Sequence, residues 1–494
     1  MKKYFSYILI FIFSITIIYS CSDRDDNSVV PQQLQVQNFI WKGLNLYYLW
    51  FADVPELADN AFATQTELNE FLSTKGTPEM LFEDLLFKPV SKFPVAGAAV
   101  DRFSALVSDY TILENLFQGI STSTGLNFGL KLKTGSTTEV FGWVRYVLPN
   151  SSAASNNMQR GMLFSGINGT PLSVTNFQQL LSGSSYTLNM ADYAGGAITP
   201  NGVSITLTKT ALNENPVLLT QVYDVGTKKV GYIVYNSFTS NYESQLNAAF
   251  GQLKAANVTH LVLDLRYNGG GAVRTAVRLA SMITGQFNDQ VFAVEQWNSK
   301  AQTFFQANSP ASLIEKFTNT LADGTPINSL NLSKVFVLTT RRTASASELV
   351  INGLDPYIVV DKIGDVTTGK NVGSITLYDS PNFTATNRNP NHKYAMQPLV
   401  IKTSNKVGFS SYQNGIAPTT PIIEDIGNLG QLGNINEPLL AAALQKIISG
   451  ARLARPTYRT FSDVSNSDII ENPFSDQMYL DKLPPGLEKF LRKE

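Results

Sequence analysis

Hydrophobic positions change period several times along the chain. An apolar run at 4–18, broken only by serine and threonine, opens it. Val36, Phe39, Ile40, Leu44 and Tyr48 then recur at three- and four-residue spacing, as do Met80, Leu81, Leu85 and Leu86. That spacing lines one face of a helix and predicts a small N-terminal helical region over 34–117. Its aromatic residues, Trp41, Tyr47, Tyr48, Trp50 and Phe51, read as a core stripe. Over 118–212 the pattern shortens to strands at 128–132, 141–148 and 203–209, with a turn at Asn168-Gly169 and a helix at 177–181. Over 213–455 strands at 230–235, 261–265, 291–294, 335–340, 358–360 and 399–402 alternate with helices at 243–255, 272–283, 346–354 and 439–448. Such alternation predicts a multidomain α/β chain with right-handed crossovers in its main layer. The polar remainder, 456–494, is expected to run over the surface as an extended tail.

Composition narrows the chemistry. Lys and Arg number 38 against 39 Asp and Glu, a net charge of −1 over 494 residues. That balance excludes a broadly basic nucleic-acid binder. One cysteine excludes an internal disulfide and a cysteine zinc site. Two histidines, His260 and His392, leave little room for a metal cluster or a Ser-His-Asp triad. No metal and no cofactor is implied, and a hydrolytic site would need another base.

The lone cysteine closes the opening segment. Met1-Lys2-Lys3 and the apolar run form an export signal over 1–20, with a polar, acidic tether over 21–33. Ile18-Tyr19-Ser20-Cys21 resembles a bacterial lipobox, whose cysteine carries a lipid, although Tyr19 stands where a small residue is usual. The resemblance implies an exported protein anchored at the outer membrane through Cys21, on the periplasmic face or the cell surface. An uncleaved anchor helix is the alternative.

Two segments carry candidate chemistry. Asp264-Leu265-Arg266-Tyr267-Asn268-Gly269-Gly270-Gly271 is an apolar strand end running into a triple-glycine turn before a helix. Such a turn presents bare N–H groups that stabilise developing negative charge, or simply reverses the chain. In Thr343-Ala344-Ser345-Ala346-Ser347-Glu348 a strand delivers a serine to a helix start. Ser345 with Glu348 fits a capping box, and the same geometry suits a nucleophile. Lys370 lies beyond the next strand, and parallel neighbouring strands would return its loop toward Ser345. A lysine serves as general base if burial lowers its pKa.

Together these motifs resemble the carboxyl-terminal processing (tail-specific) serine proteases, over about 118–453. The resemblance implies a crotonase/Clp-protease-like catalytic domain over 213–455 and a PDZ-like domain over 118–212. It implies Ser345 as nucleophile, Lys370 as base, and the N–H groups of Gly271 and Ala346 as oxyanion hole. Asn127-Phe128-Gly129-Leu130 stands where a PDZ domain has its carboxylate-binding loop, so Phe128, Gly129 and Leu130 are expected to bind a peptide C-terminus. Some relatives carry a base-orienting glutamine four residues after the lysine; Ser374 stands there and is the candidate substitute. The implied activity is endoproteolysis of extended polypeptides near or from their C-termini. The alternatives are a catalytically silent peptide-binding lipoprotein and a crotonase-like enzyme for small acyl substrates. Oligomeric state is left open.

Overall fold

The computed structural model describes residues 29–95, 97–450, 461–471 and 477–481. The export signal and Cys21 lie outside the described residues. Among the described residues no helix is long and apolar enough to cross a membrane.

The main sheet has six strands in the order Val217–Val225, Lys228–Tyr235, His260–Asp264, Lys334–Thr339, Val359–Gly364 and Thr420–Pro421. The first pair is antiparallel and the rest are parallel. Side chains alternate between two cores, as the period of a strand requires. Ile233, Tyr235, Leu261, Leu263, Val335 and Val337 face one core, which they share with the helices Glu243–Ala255, Val273–Thr284 and Ala346–Leu354. Tyr232, Val234, Val262, Phe336 and Leu338 face the other, under the helix Pro438–Ser449. Burial on both faces explains why these strands read as continuous apolar runs.

A second, mixed sheet orders Gly271–Ala272, Met478–Tyr479, Val372–Ser374, Leu399–Ser404, Val291–Trp297 and Ile314–Lys316. A third, built mainly from 118–212, runs Asp463–Asn466, Leu126–Leu132, Val140–Val147, Leu163–Ile167, Ser185–Ala194 and Ala197–Thr208, with Thr170–Pro171 paired to Leu163–Ile167.

The N-terminal region is helical over Gln35–Tyr47, Gln65–Ser73, Pro78–Asp84 and Tyr110–Phe117, and it packs into the α/β region. Phe39, Leu44 and Tyr47 share one core with Trp297, Phe305, Leu377, Met396 and Val400 of the α/β region. The strand Ala105–Val107 also pairs with Ala395–Gln397. The expected surface course of the tail does not hold for its described residues, 461–471 and 477–481. Met478 is fully buried in the main core, and Asp463–Asn466 forms an edge of the third sheet. Short strands that borrow their apolar partners from distant segments leave no periodicity of their own.

Candidate functional site

Ser345 ends the turn after the strand Lys334–Thr339 and caps the helix Ala346–Leu354, with φ 64° and ψ −115°. A non-glycine residue in such backbone geometry costs about 1–3 kcal/mol and persists only where its surroundings enforce it. The enforcing contacts are visible. Ala344 N–H donates to Asn268 O at 3.0 Å, Ser347 Oγ to the same oxygen at 3.1 Å, and Thr343 Oγ1 to Leu265 O at 2.8 Å. Ser345 and Glu348 have the relation of a capping box, and Ser345 N–H donates to Glu348 Oε2 at 2.8 Å. The serine hydroxyl, however, is buried and makes no hydrogen bond of ordinary geometry. An unpartnered buried hydroxyl is costly unless another group completes it.

The glycine turn stands directly against this hydroxyl. Asn268 fixes it, accepting from Gly270 N–H at 2.9 Å and donating to Tyr235 O at 2.9 Å. Gly270 has φ 116°, and a Cβ there would lie 2.6 Å from Ser345 Cβ, 3.0 Å from its Oγ and 3.1 Å from Ala346 N. Of the expected oxyanion donors, Ala346 follows the serine directly as the first residue of the helix, and Gly271 follows Gly270 in the turn.

Lys370 follows the parallel strand Val359–Gly364, and its loop returns beside the serine turn as the register predicts. One carboxylate joins the two. Glu348 Oε2 accepts from Ser345 N–H and from Lys370 N–H, each at 2.8 Å, and Oε1 accepts from Gly369 N–H at 2.7 Å. Burial pushes the Glu348 carboxyl above its ordinary value, while Thr367 and the backbone donors of Lys370, Ser345 and Gly369 pull it back. The capping reading of Glu348 is thus only half its role.

The Lys370 side chain is fully buried. Its Nζ donates to Gln477 Oε1 at 3.0 Å and lies 4.6 Å over the Phe103 ring, while Gln477 Nε2 donates to Phe103 O at 3.1 Å. Sequence reasoning placed Ser374 beside the lysine. Instead the Ser374 hydroxyl is 3.2 Å from both Gln397 Oε1 and Met478 O. Gln477 comes from the segment read as a surface tail; its only signal was the apolar run Met478-Tyr479-Leu480 within polar sequence. Beside the lysine loop opens a cleft of about 930 Å³, lined among others by Trp50, Phe93, Phe103, Gln296, Gly369 and Asn371.

Beneath the glycine turn lies a buried ion network. Arg266 pairs with Asp264 and, through both terminal nitrogens, with Glu437 at 2.7 and 2.9 Å. Arg160, from the 118–212 module, reaches Glu424 at 2.6 Å and the Tyr267 hydroxyl at 2.6 Å. Burial alone would raise the Glu424 carboxyl, but Arg160 and Arg266 hold it down at about 2. The sequence motif around Arg266 thereby ties the glycine turn to the helix Pro438–Ser449 and to the neighbouring module. Phe128, Gly129 and Leu130 lie on the strand Leu126–Leu132, beside Asp463–Asn466.

Comparison with known proteins agrees with this architecture. Residues 229–389 match the model of peptidase family S41, and 35–105 match the peptidase S41 N-terminal domain. It is 27% identical over 244 residues to a chloroplastic C-terminal processing peptidase of Tetradesmus obliquus, covering 47% of this chain and 48% of the relative. It is 26% identical over 163 residues to a carboxyl-terminal-processing protease of Picosynechococcus, covering 32% and 34%. The matches thus span between a third and a half of these relatives. A crystal structure assigned to the S41 proteases, from Bacteroides fragilis, aligns with a TM-score of 0.63 and 28% identity. That alignment covers 83% of this chain and 97% of the other, so the two share a multidomain α/β fold over that length.

Proposed function

We propose that the protein is a serine endopeptidase that cleaves extended polypeptides near or from their C-termini, with Ser345 as nucleophile and Lys370 as base. The observation that carries this reading is the Ser345 hydroxyl: buried, without a hydrogen bond of ordinary geometry, on strained backbone, and with its residue tied through Glu348 to the lysine loop. Neutral Lys370 takes the proton as Oγ attacks the scissile carbonyl, since removal from water disfavours an ammonium. The N–H groups of Gly271 and Ala346 receive the oxyanion, and the helix N-terminus adds to their effect. Lys370 then protonates the leaving amine, and water releases the acyl group. Gln477, by accepting from Nζ, fixes where the lysine points.

The 118–212 module is read as PDZ-like, with the edge formed by Phe128, Gly129 and Leu130 receiving the substrate's C-terminus, and the catalytic domain as crotonase/Clp-like. Attachment to the membrane through a lipid on Cys21 rests on the sequence alone. The test is hydrolysis of a disordered polypeptide such as β-casein. Wild type should cleave it, and Ser345→Ala should lose at least 10³-fold in rate, as loss of a nucleophile does in other serine peptidases. Equal cleavage by Ser345→Ala would end the reading.

A further inference from the structure

The carboxyl-terminal segment completes the sheet of the 118–212 module. Asp463–Asn466 lies antiparallel to Leu126–Leu132, with Asp463 opposite Lys131, Ser465 opposite Leu130 and Asn466 opposite Gly129. This is how an extended peptide adds to a sheet edge. At the end of the strand the contacts become polar. Phe128 N–H donates to Ser467 Oγ at 3.0 Å, and Asn127 Nδ2 donates to Asp468 Oδ1 at 2.7 Å. The second Asp468 oxygen is 3.4 Å from Arg145 Nη1 and 3.7 Å from Arg342 Nη2. A backbone N–H, an amide and two guanidinium groups thus meet oxygens of the chain itself, a set of donors that equally suits a peptide carboxylate. Val464 and Ile470 add apolar packing against the core of the module.

We propose that residues 461–471 are an internal ligand of this module, closing its peptide edge to outside C-termini until the segment is displaced. The proposal rests on the peptide-binding reading of the module given above. A tethered segment competes at an effective concentration of about millimolar, so an outside peptide binds only to the fraction of molecules in which the edge is open. The same stretch of chain carries Gln477 to Lys370 and inserts Met478–Tyr479 between Gly271–Ala272 and Val372–Ser374. The segment on the edge and the residue that meets the base are therefore near neighbours in sequence, with Glu471 and Gln477 six positions apart.

The test uses the full chain and a fluorescein-labelled synthetic peptide with the sequence of residues 461–471. Binding is measured by anisotropy in wild type, in Val464→Asp/Ile470→Asp, and in the gentler Ser467→Ala/Asp468→Asn, which keeps the apolar contacts. Hydrogen exchange over 126–132 reports whether the edge has opened. The expected result is peptide binding at least tenfold tighter in both variants than in wild type, with faster exchange of the edge amides. Equal affinity in wild type and variants overturns the internal-ligand proposal. Opened amides with no peptide binding in any of the three proteins overturn instead the peptide-binding reading beneath it.

Discussion

Lys370 Nζ donates to the side chain of Gln477, 107 residues further along the chain, at 3.0 Å. An acceptor at this position stabilises the charged lysine and restrains its direction. Gln477→Ala should lower kcat about tenfold or more, since a hydrogen bond to a charged group is worth about 1.5–3 kcal/mol, with little change in KM. Gln477→Glu should move the acid limb of the kcat–pH profile to higher pH, because a carboxylate holds the lysine's proton more tightly. A profile unchanged in both variants would remove Gln477 from the site.

The glycine turn makes a steric prediction. A Cβ on Gly270 would stand 3.0 Å from Ser345 Oγ, on backbone with φ 116°. Gly270→Ala should reduce activity by at least 100-fold, about 2.7 kcal/mol in the barrier, while circular dichroism keeps the wild-type spectrum. Retained activity would place the reacting carbonyl elsewhere.

Acid stability follows from Glu424. Its carboxyl is held at about 2 in the folded protein, against an ordinary value of 4.5, by Arg160 and Arg266 acting against burial. A depressed acid contributes stability that is complete above the unfolded value and is lost as pH falls toward the folded one. The contribution is about 3 kcal/mol. Denaturant midpoints should therefore fall between pH 4.5 and 2, and the Glu424→Gln variant should show a shallower fall over that window.

Docking of the tail should have the opposite dependence. Burial raises Glu471 to about 8, with Asp468 and Glu214 adding to the rise and Lys209 opposing it. Burial and Asp468 raise Glu214 to about 7, opposed by the Tyr146 hydroxyl that donates to it. Arg145 and Arg342 face Asp468 in the same cluster. The docked state binds more protons than the released one, so docking is strongest at low pH and weakens as pH rises from about 4.5 to 8. Limited proteolysis of the 461–471 segment should accelerate across that range, and less so in Glu471→Gln.

The parts that were legible in the sequence carry their own periodicity or composition. The strands around 230–235, 261–265 and 335–340 are apolar because both faces are covered, and Glu243–Ala255, Phe177–Leu181 and Ala346–Leu354 fall where the patterns put them. Ser345, Lys370 and the glycine turn were found by motif, and the parallel pairing of their strands brings the loops together. What escaped depends on long-range partners. The two-residue strand Met478–Tyr479 has no period to read, and Gln477 is meaningful only beside Lys370. Ser374 sits at the expected spacing, but its hydroxyl is held by Gln397 and Met478. The strand Ser185–Ala194 was missed because its outward positions are polar and its inward ones, Tyr186, Leu188 and Met190, are few.

The proposed Ser345–Lys370 dyad is tested most directly by covalent labelling with an electrophilic serine probe, followed by peptide mapping across pH. The account predicts a single adduct on Ser345, a labelling rate that rises through one apparent pKa below that of a free lysine, and loss of labelling in Lys370→Ala. Labelling of Lys370→Ala at the wild-type rate, or an adduct on any residue other than Ser345, would contradict it.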